Sequence, residues 1–356
     1  MPGLDGLRAV AVLLVVFHHL CSQSTFGGWP YLAATLKRGS FGVQIFFVLS
    51  GFLITWLLLG EERHSGTIDL KRFYFRRSLR ILPPAFFFLG VMVAFTALGL
   101  LSIGGRDLLF SFLFVRNAYG VGGSPEVAHF WSLAVEEQFY LTWPFFMLAL
   151  RGRTRLAATT ALIAALAGWR TAGVVHFGVT AAGAEALLIG CLLAQLRDVR
   201  PEWFSMSSAA GRTSLVAVAT VIVSLVAFSG VTQVEQSGLA QTAALLAVAA
   251  IVSTVAEGNV PGISIVLGSP LIEWIGRLSY SLYLWQQVFC WSRISGRYAA
   301  EDWPTLVVAS FLTAAFSYYV VEQPALALRQ RLELRWFPRE KTARTGAIAG
   351  ALAPLA

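Results

Sequence analysis

Three short stretches of the chain hold side chains whose types and spacing suit chemistry. In HFWSLAVEEQFYLTWP (129–144), Glu136 and Glu137 stand side by side in an aromatic and aliphatic run with no further charge before Leu150. In LDGLRAVAVLLVVFHHL (4–20), Arg8 and His19 are eleven residues apart. Eleven helical steps return to within about 20° of the starting azimuth, so both project from one face, roughly 16 Å apart along the axis. His18 turns about 80° off that face. In DLKRFYFRRSLRILPP (69–84), Lys71, Arg72, Arg76, Arg77 and Arg80 crowd together.

A carboxylate beside an imidazole can fix its tautomer and stabilise its protonated form, as in an acid/base pair. Glu136 and Glu137 lie about 100° apart on a helix, so only one can face His19. Glu137 is the favoured partner; the other is left to bind substrate or cap a neighbouring helix. Arg76 and Arg77 both come within one turn of Arg80, so three guanidiniums converge, and guanidiniums suit bidentate phosphate binding. Each group also has a plainer reading. Arg8 can be a topological anchor beneath an interfacial histidine pair. The two acids can pair structurally with Arg106 or Arg116. The basic run can lie on lipid headgroups, seated by Phe73, Tyr74 and Phe75.

Composition sets the elements that must position these groups. Hydrophobic residues make up 56% of the 356, charged residues only 13%, and mean hydropathy is +0.67; a soluble domain carries about a quarter charged residues. Apolar runs long enough to cross a bilayer as helices recur along the chain. They do not alternate, so helices rather than a barrel satisfy the backbone in lipid. The expected fold is an all-α polytopic membrane bundle of about ten spans, near 8–24, 41–60, 81–101, 130–150, 156–174, 179–196, 213–231, 239–256, 272–292 and 304–323. The segment DLLFSFLFV (107–115) is too short to cross and is read as re-entrant or interfacial.

With the N-terminus inside, inner segments hold 19 Lys/Arg and outer segments 7, which fixes both termini in the cytoplasm. The net charge of +8 is then a topology signal with membrane lipid as partner, not a nucleic-acid footprint. The first helix lacks a following cleavage site and is expected to be a permanent span. The three cysteines, Cys21, Cys191 and Cys290, show no disulfide or metal-ligand spacing. Residues 1–331 form the transmembrane domain, and 332–356 a basic cytoplasmic tail expected to be disordered. Ser50-Gly51 in the second span favours close helix packing.

From about 156 to 256 the spans are nearly charge-free, with Glu185 the main exception. The first 150 residues carry most of the intramembrane ionisable groups, and such groups default to function. The fourth span runs inward, which places Glu136 and Glu137 about one and a half turns below its outer end, at the depth of His19.

In this order, LDGLRAVAVLLVVFHHL, FGVQIFFVLSGFLI, FYFRRSLRILP, FWSLAVEEQFYLTWP, SYSLYLW (279–285) and YYVVEQP (318–324) resemble the acyltransferase 3 family of integral membrane O-acyltransferases. The resemblance runs from residue 3 to about 331. It implies ten spans in the cell membrane and transfer of an acyl group, usually acetyl from acetyl-CoA, to a hydroxyl of a glycan or other glycosylated acceptor, with no metal. It makes His19 the base, with Arg8 and the Glu136/Glu137 pair beside it. It makes Arg76, Arg77, Arg80 and Lys71 the clamp for CoA phosphates. An acyl-histidine intermediate on His19 is the other route. Family members often carry histidine where this chain has Gln286, and an Arg-x-Asp pair where it has Gly183 and Glu185. Many also carry a C-terminal esterase-like domain, which this sequence lacks, so the chain is expected to finish the reaction alone or hand over to a separate protein. The rival reading is a proton-coupled or glycolipid transporter using the same charged stripe.

Overall fold

The structure, a computed structural model, describes residues 3–23, 41–119, 123–172, 178–204, 209–228, 238–258, 260, 262–290 and 303–337. Among these it is helical, with no strands. The long helices are α1 (Leu4–Gln23), α2 (Phe41–Ser65) and α3 (Leu70–Ala97). After the short α4 (Gly105–Phe112) come α5 (Phe130–Ala149), α6 (Gly152–Thr171), α7 (Gly178–Val199), α8 (Ala209–Phe228) and α9 (Gly238–Ala256). The short α10 (Ile263–Leu267) precedes α11 (Pro270–Cys290). Finally α12 (Trp303–Ser317) passes through a π turn (Tyr318–Glu322) into α13 (Gln323–Trp336).

Among the described residues, six helical stretches are long and apolar enough to cross a membrane: Leu4–Cys21, Phe41–Ser65, Leu70–Ala97, Thr180–Val199, Leu239–Ala256 and Trp303–Trp336. Helices α5, α6 and α11 fall on other expected spans but carry too many polar side chains to qualify by composition. The expected outer loop 24–40 and most of 293–303 lie outside the described residues, as does the tail beyond Phe337.

Two boundaries differ from expectation. The basic segment 69–80 belongs to α3, which starts eleven residues before the expected span because the Asp69 side chain accepts the Arg72 N–H at 3.0 Å and caps it. The last helix continues to Trp336, five residues into the expected tail, because Glu333 is tied to α3.

Glycine sets the closest packing. A Cβ at Gly51 would lie 1.9 Å from the Leu187 carbonyl oxygen, and one at Gly190 would lie 2.1 Å from that of Val48. Helices α2 and α7 therefore meet backbone to backbone, the role expected of Ser50-Gly51. Helix α1 runs along α11, where a Cβ at Gly276 would lie 2.0 Å from the Asp5 carbonyl oxygen.

Several charges inside the bundle are paired. Arg155 is buried, meets Glu62 with two nitrogens at 2.9 and 3.1 Å, and donates to the Met147 and Leu150 carbonyls that end α5. Arg170 on α6 pairs with the fully buried Glu185 on α7 and donates to Gln241 of α9 at 2.9 Å, while Thr242 donates to Glu185. Most of the segment 107–115, expected to be re-entrant or interfacial, folds as α4, and its Asp107 meets buried Arg116 at 3.2 Å.

Candidate active site

One face of α5 carries a row of polar side chains. His129, Ser132, Glu136 and Tyr140 recur at intervals of three, four and four, so they line one side of the helix. Both the Ser50 and Tyr140 hydroxyls donate to Glu136 Oε1. The Arg77 guanidinium lies 4.2 Å from the centre of the Tyr140 ring, a cation–π contact. Glu137, one step round the helix, is within electrostatic reach of Glu136 and Arg77.

Arg80 stands one turn further along α3, in a charge cluster with Arg8, Arg77, Glu322 and Arg329. Arg8 is thus brought to the Arg80 end, and also approaches Asp5 at 3.5 Å. Glu322 closes the cluster. It is buried at the end of the π turn and accepts the Ser281 hydroxyl at 2.8 Å. Such turns recur at functional sites because the extra residue re-aims a side chain.

His19 lies at the other end. Its Nδ1 is 2.8 Å from Gln286 Oε1 on α11. The amide oxygen can only accept, so Nδ1 carries the proton and the basic lone pair is on Nε2. The described partner of Nδ1 is thus Gln286, where the sequence suggested Glu137 or Glu136. Helix α1 lies against α11, and Glu136 accepts two hydroxyls of its own. His18 is close by, its ring centroid 5.2 Å from that of His19.

The expected phosphate clamp is divided. Arg77 and Arg80 turn into the bundle. Arg76 pairs with Glu333 of α13, which also accepts from Arg72 at 2.7 and 3.0 Å. Phe75 packs on Trp336 and Phe337, at 5.3 and 5.7 Å between centroids. Lys71 is exposed, and nine residues from Arg80 it projects from the opposite side of α3, so it does not join the other cations. Of the alternatives for the acids, Arg116 meets Asp107 instead, and Arg106 lies over Phe110 at 5.2 Å. Among the described residues no three His, Cys, Asp or Glu side chains gather as metal ligands.

Several participants escaped the sequence reading. Ser132 and Tyr140 were visible as a three-four-four stripe through Glu136. Ser132 Oγ and the Tyr283 hydroxyl are 2.5 Å apart, and no sequence signal joins them. Glu322 stood in the quoted YYVVEQP segment without a role.

The arrangement is a polar path through an apolar bundle, with guanidiniums at one end and an oriented imidazole at the other. A family model described as an acyltransferase domain matches residues 1–322. An O-acetyltransferase, OatA, of Staphylococcus aureus (strain NCTC 8325 / PS 47) is 34% identical over 217 residues, covering 54% of this chain and 34% of that protein. A putative peptidoglycan O-acetyltransferase, YrhL, of Bacillus subtilis (strain 168) is 34% identical over 220 residues, covering 54% and 33%. A peptidoglycan O-acetyltransferase, OatA, of Listeria monocytogenes serovar 1/2a is 29% identical over 363 residues, covering 91% and 55%. The chain thus spans about a third to a half of the length of these curated relatives. No solved structure matches it.

Proposed function

The chain belongs to the acyltransferase 3 family, and from that premise we propose that it is a multi-pass cell-membrane O-acyltransferase. It moves an acyl group, acetyl by analogy with its named relatives, from acyl-CoA to a hydroxyl of a glycan such as peptidoglycan. The observation that carries this reading is the two-ended path along α5. Arg77 meets Tyr140, Tyr140 and Ser50 hold Glu136, and His19 stands beyond with its Nδ1 on Gln286.

The CoA phosphates rest on Arg77 and Arg80, where charge-assisted bidentate contacts are strongest. The acceptor hydroxyl gives its proton to His19 Nε2 as its oxygen bonds to the acyl carbon. The carbon–sulfur bond breaks, and the proton passes on to the leaving thiolate. Ten crossings with both termini inside place the arginines towards the cytoplasmic donor and His19 towards the outer face. Single-cysteine labelling tests that sidedness: an impermeant reagent that reached Ser65 but not Ser24 in intact cells would reverse it.

The deciding experiment is release of free CoA thiol from acetyl-CoA by the purified chain in nanodiscs, with acetylated glycan as co-product. A transporter releases none, and that result sinks the proposal.

A further inference from the structure

Burying a polar atom without a hydrogen-bond partner costs stability, and folded chains keep few of them. Here a set of them collects beside His19, in a place the mechanism above does not use. His129, at the start of α5, is 3% exposed, and neither ring nitrogen has a hydrogen-bond partner among the described residues. Gln287 is equally buried, with Oε1 unpartnered, and so is Glu126 through Oε2.

The three lie on elements that pack together. Glu126 lies on the turn Pro125–Val127 just before α5, and that turn packs on α11, which carries Gln287. Gln287 faces the His129 ring in a weak polar contact that falls short of regular hydrogen-bond geometry. Its neighbour in sequence is Gln286, which holds His19, and His19 is within electrostatic reach of His129. Aromatic rings wall the site. The centroids of Phe130, Phe88 and Tyr283 lie 5.0, 5.4 and 5.5 Å from that of His129.

The unused valences indicate what fits. A neutral imidazole offers one N–H and one lone pair, and the amide and carboxyl oxygens offer lone pairs. An array of acceptors with a single donor calls for a group rich in O–H. A hydrocarbon chain would leave every orphan unpaired, and an anion would face the Glu126 carboxyl and the other lone pairs. Adjacent hydroxyls on a carbohydrate ring supply the donors, one of them accepts from His129, and the C–H face of the ring packs on the aromatic walls.

We propose that His129, Gln287 and Glu126 form the subsite that binds the acceptor's carbohydrate hydroxyls and presents one of them to His19. The proposal rests on the O-acyltransferase reading and adds the acceptor's place in it.

The test uses the full chain in nanodiscs with acetyl-CoA and the disaccharide GlcNAc–MurNAc as the probe acceptor. His129→Phe and Gln287→Leu remove the orphaned groups at similar volume. Each should raise the disaccharide KM at least tenfold, move the acetyl-CoA KM less than twofold, and keep or raise Tm. Unchanged disaccharide KM in both apolar variants overturns the proposal. So does an equal rise in both KM values, or a fall in Tm that accounts for the lost activity. A wild-type enzyme that releases CoA but is not stimulated by the disaccharide overturns the carbohydrate assignment. Absence of any CoA release by the wild type is a different failure, that of the parent reading, and shows before a variant is made.

Discussion

His19 and Gln286 join α1 to α11 through a 2.8 Å contact between Nδ1 and Oε1. The contact fixes which ring nitrogen holds the proton, so it should matter to turnover more than to folding. Losing a general base lowers rate by about 10²–10⁴, and His19→Ala should fall in that range. Gln286→Leu removes one hydrogen bond, about 1–1.5 kcal/mol, or roughly tenfold in turnover. Gln286→His should retain more activity than Gln286→Leu, because the acyltransferase 3 resemblance often places histidine there. Steady-state CoA release at saturating donor separates these outcomes; wild-type turnover in His19→Ala would rule out the base.

How much of this was legible beforehand depended on what each residue answers to. Helix existence followed from apolar runs, since lipid leaves the backbone little alternative. Depth was read from the fixed rise per residue, which set the acids and His19 at comparable levels; the structure brings His19 near His129, seven residues before Glu136. Azimuth between helices was not. It depends on which helices are neighbours, and that is settled by contacts such as Gly276 on Asp5 and Gly51 on Leu187. The sequence reading therefore paired His19 with a glutamate on α5 when α11 was its neighbour. Likewise, the i, i+4 rule brought Arg76 beside Arg80 but could not foresee that Glu333, over 250 residues on, would take Arg76.

The glutamates should now separate. Glu136 accepts two hydroxyls through one oxygen, an arrangement an amide of the same shape does not reproduce without turning a donor towards a hydroxyl. Glu136→Gln should lower turnover about tenfold or more, from loss of hydrogen bonds to a charged group. Glu137→Gln should act mainly through its neighbour Arg77, by removing an anion beside that guanidinium, and so lower the acetyl-CoA KM. Each variant needs a check for monodispersity in detergent or nanodiscs. Near-normal kinetics in both would make the pair structural.

The pair Arg170–Glu185 should register in stability alone. Both side chains are buried, and Gln241 and Thr242 complete their hydrogen bonds. Glu185→Ala strands a buried guanidinium, a change that typically costs about 3–5 kcal/mol. Thermal unfolding in nanodiscs should show a clear fall in Tm, with kinetic constants per folded molecule little altered. A large change in acceptor KM without a change in Tm would instead place Glu185 in a binding site.

The donor end yields opposed expectations for residues on the same stretch of α3. Arg77 and Arg80 turn inward among Tyr140, Glu322 and Arg8, so Arg77→Glu and Arg80→Glu should raise the acetyl-CoA KM. Loss of one charge-assisted phosphate contact, about 1.5–3 kcal/mol, corresponds to roughly ten- to a hundredfold. Lys71→Glu should have little effect, because Lys71 faces away from Arg80. Arg76 is held by Glu333, which Arg72 also contacts at 2.7 Å. Glu333 therefore stands where a phosphate oxygen could bind, and Glu333→Gln should release Arg76 and lower the acetyl-CoA KM. Steady-state kinetics at varied acetyl-CoA, repeated at higher salt, checks the set, since contacts to phosphate weaken with ionic strength. If Arg77→Glu and Arg80→Glu were produced normally and kept the wild-type KM, the basic run would be an anchor on lipid headgroups, and the donor would have to bind elsewhere.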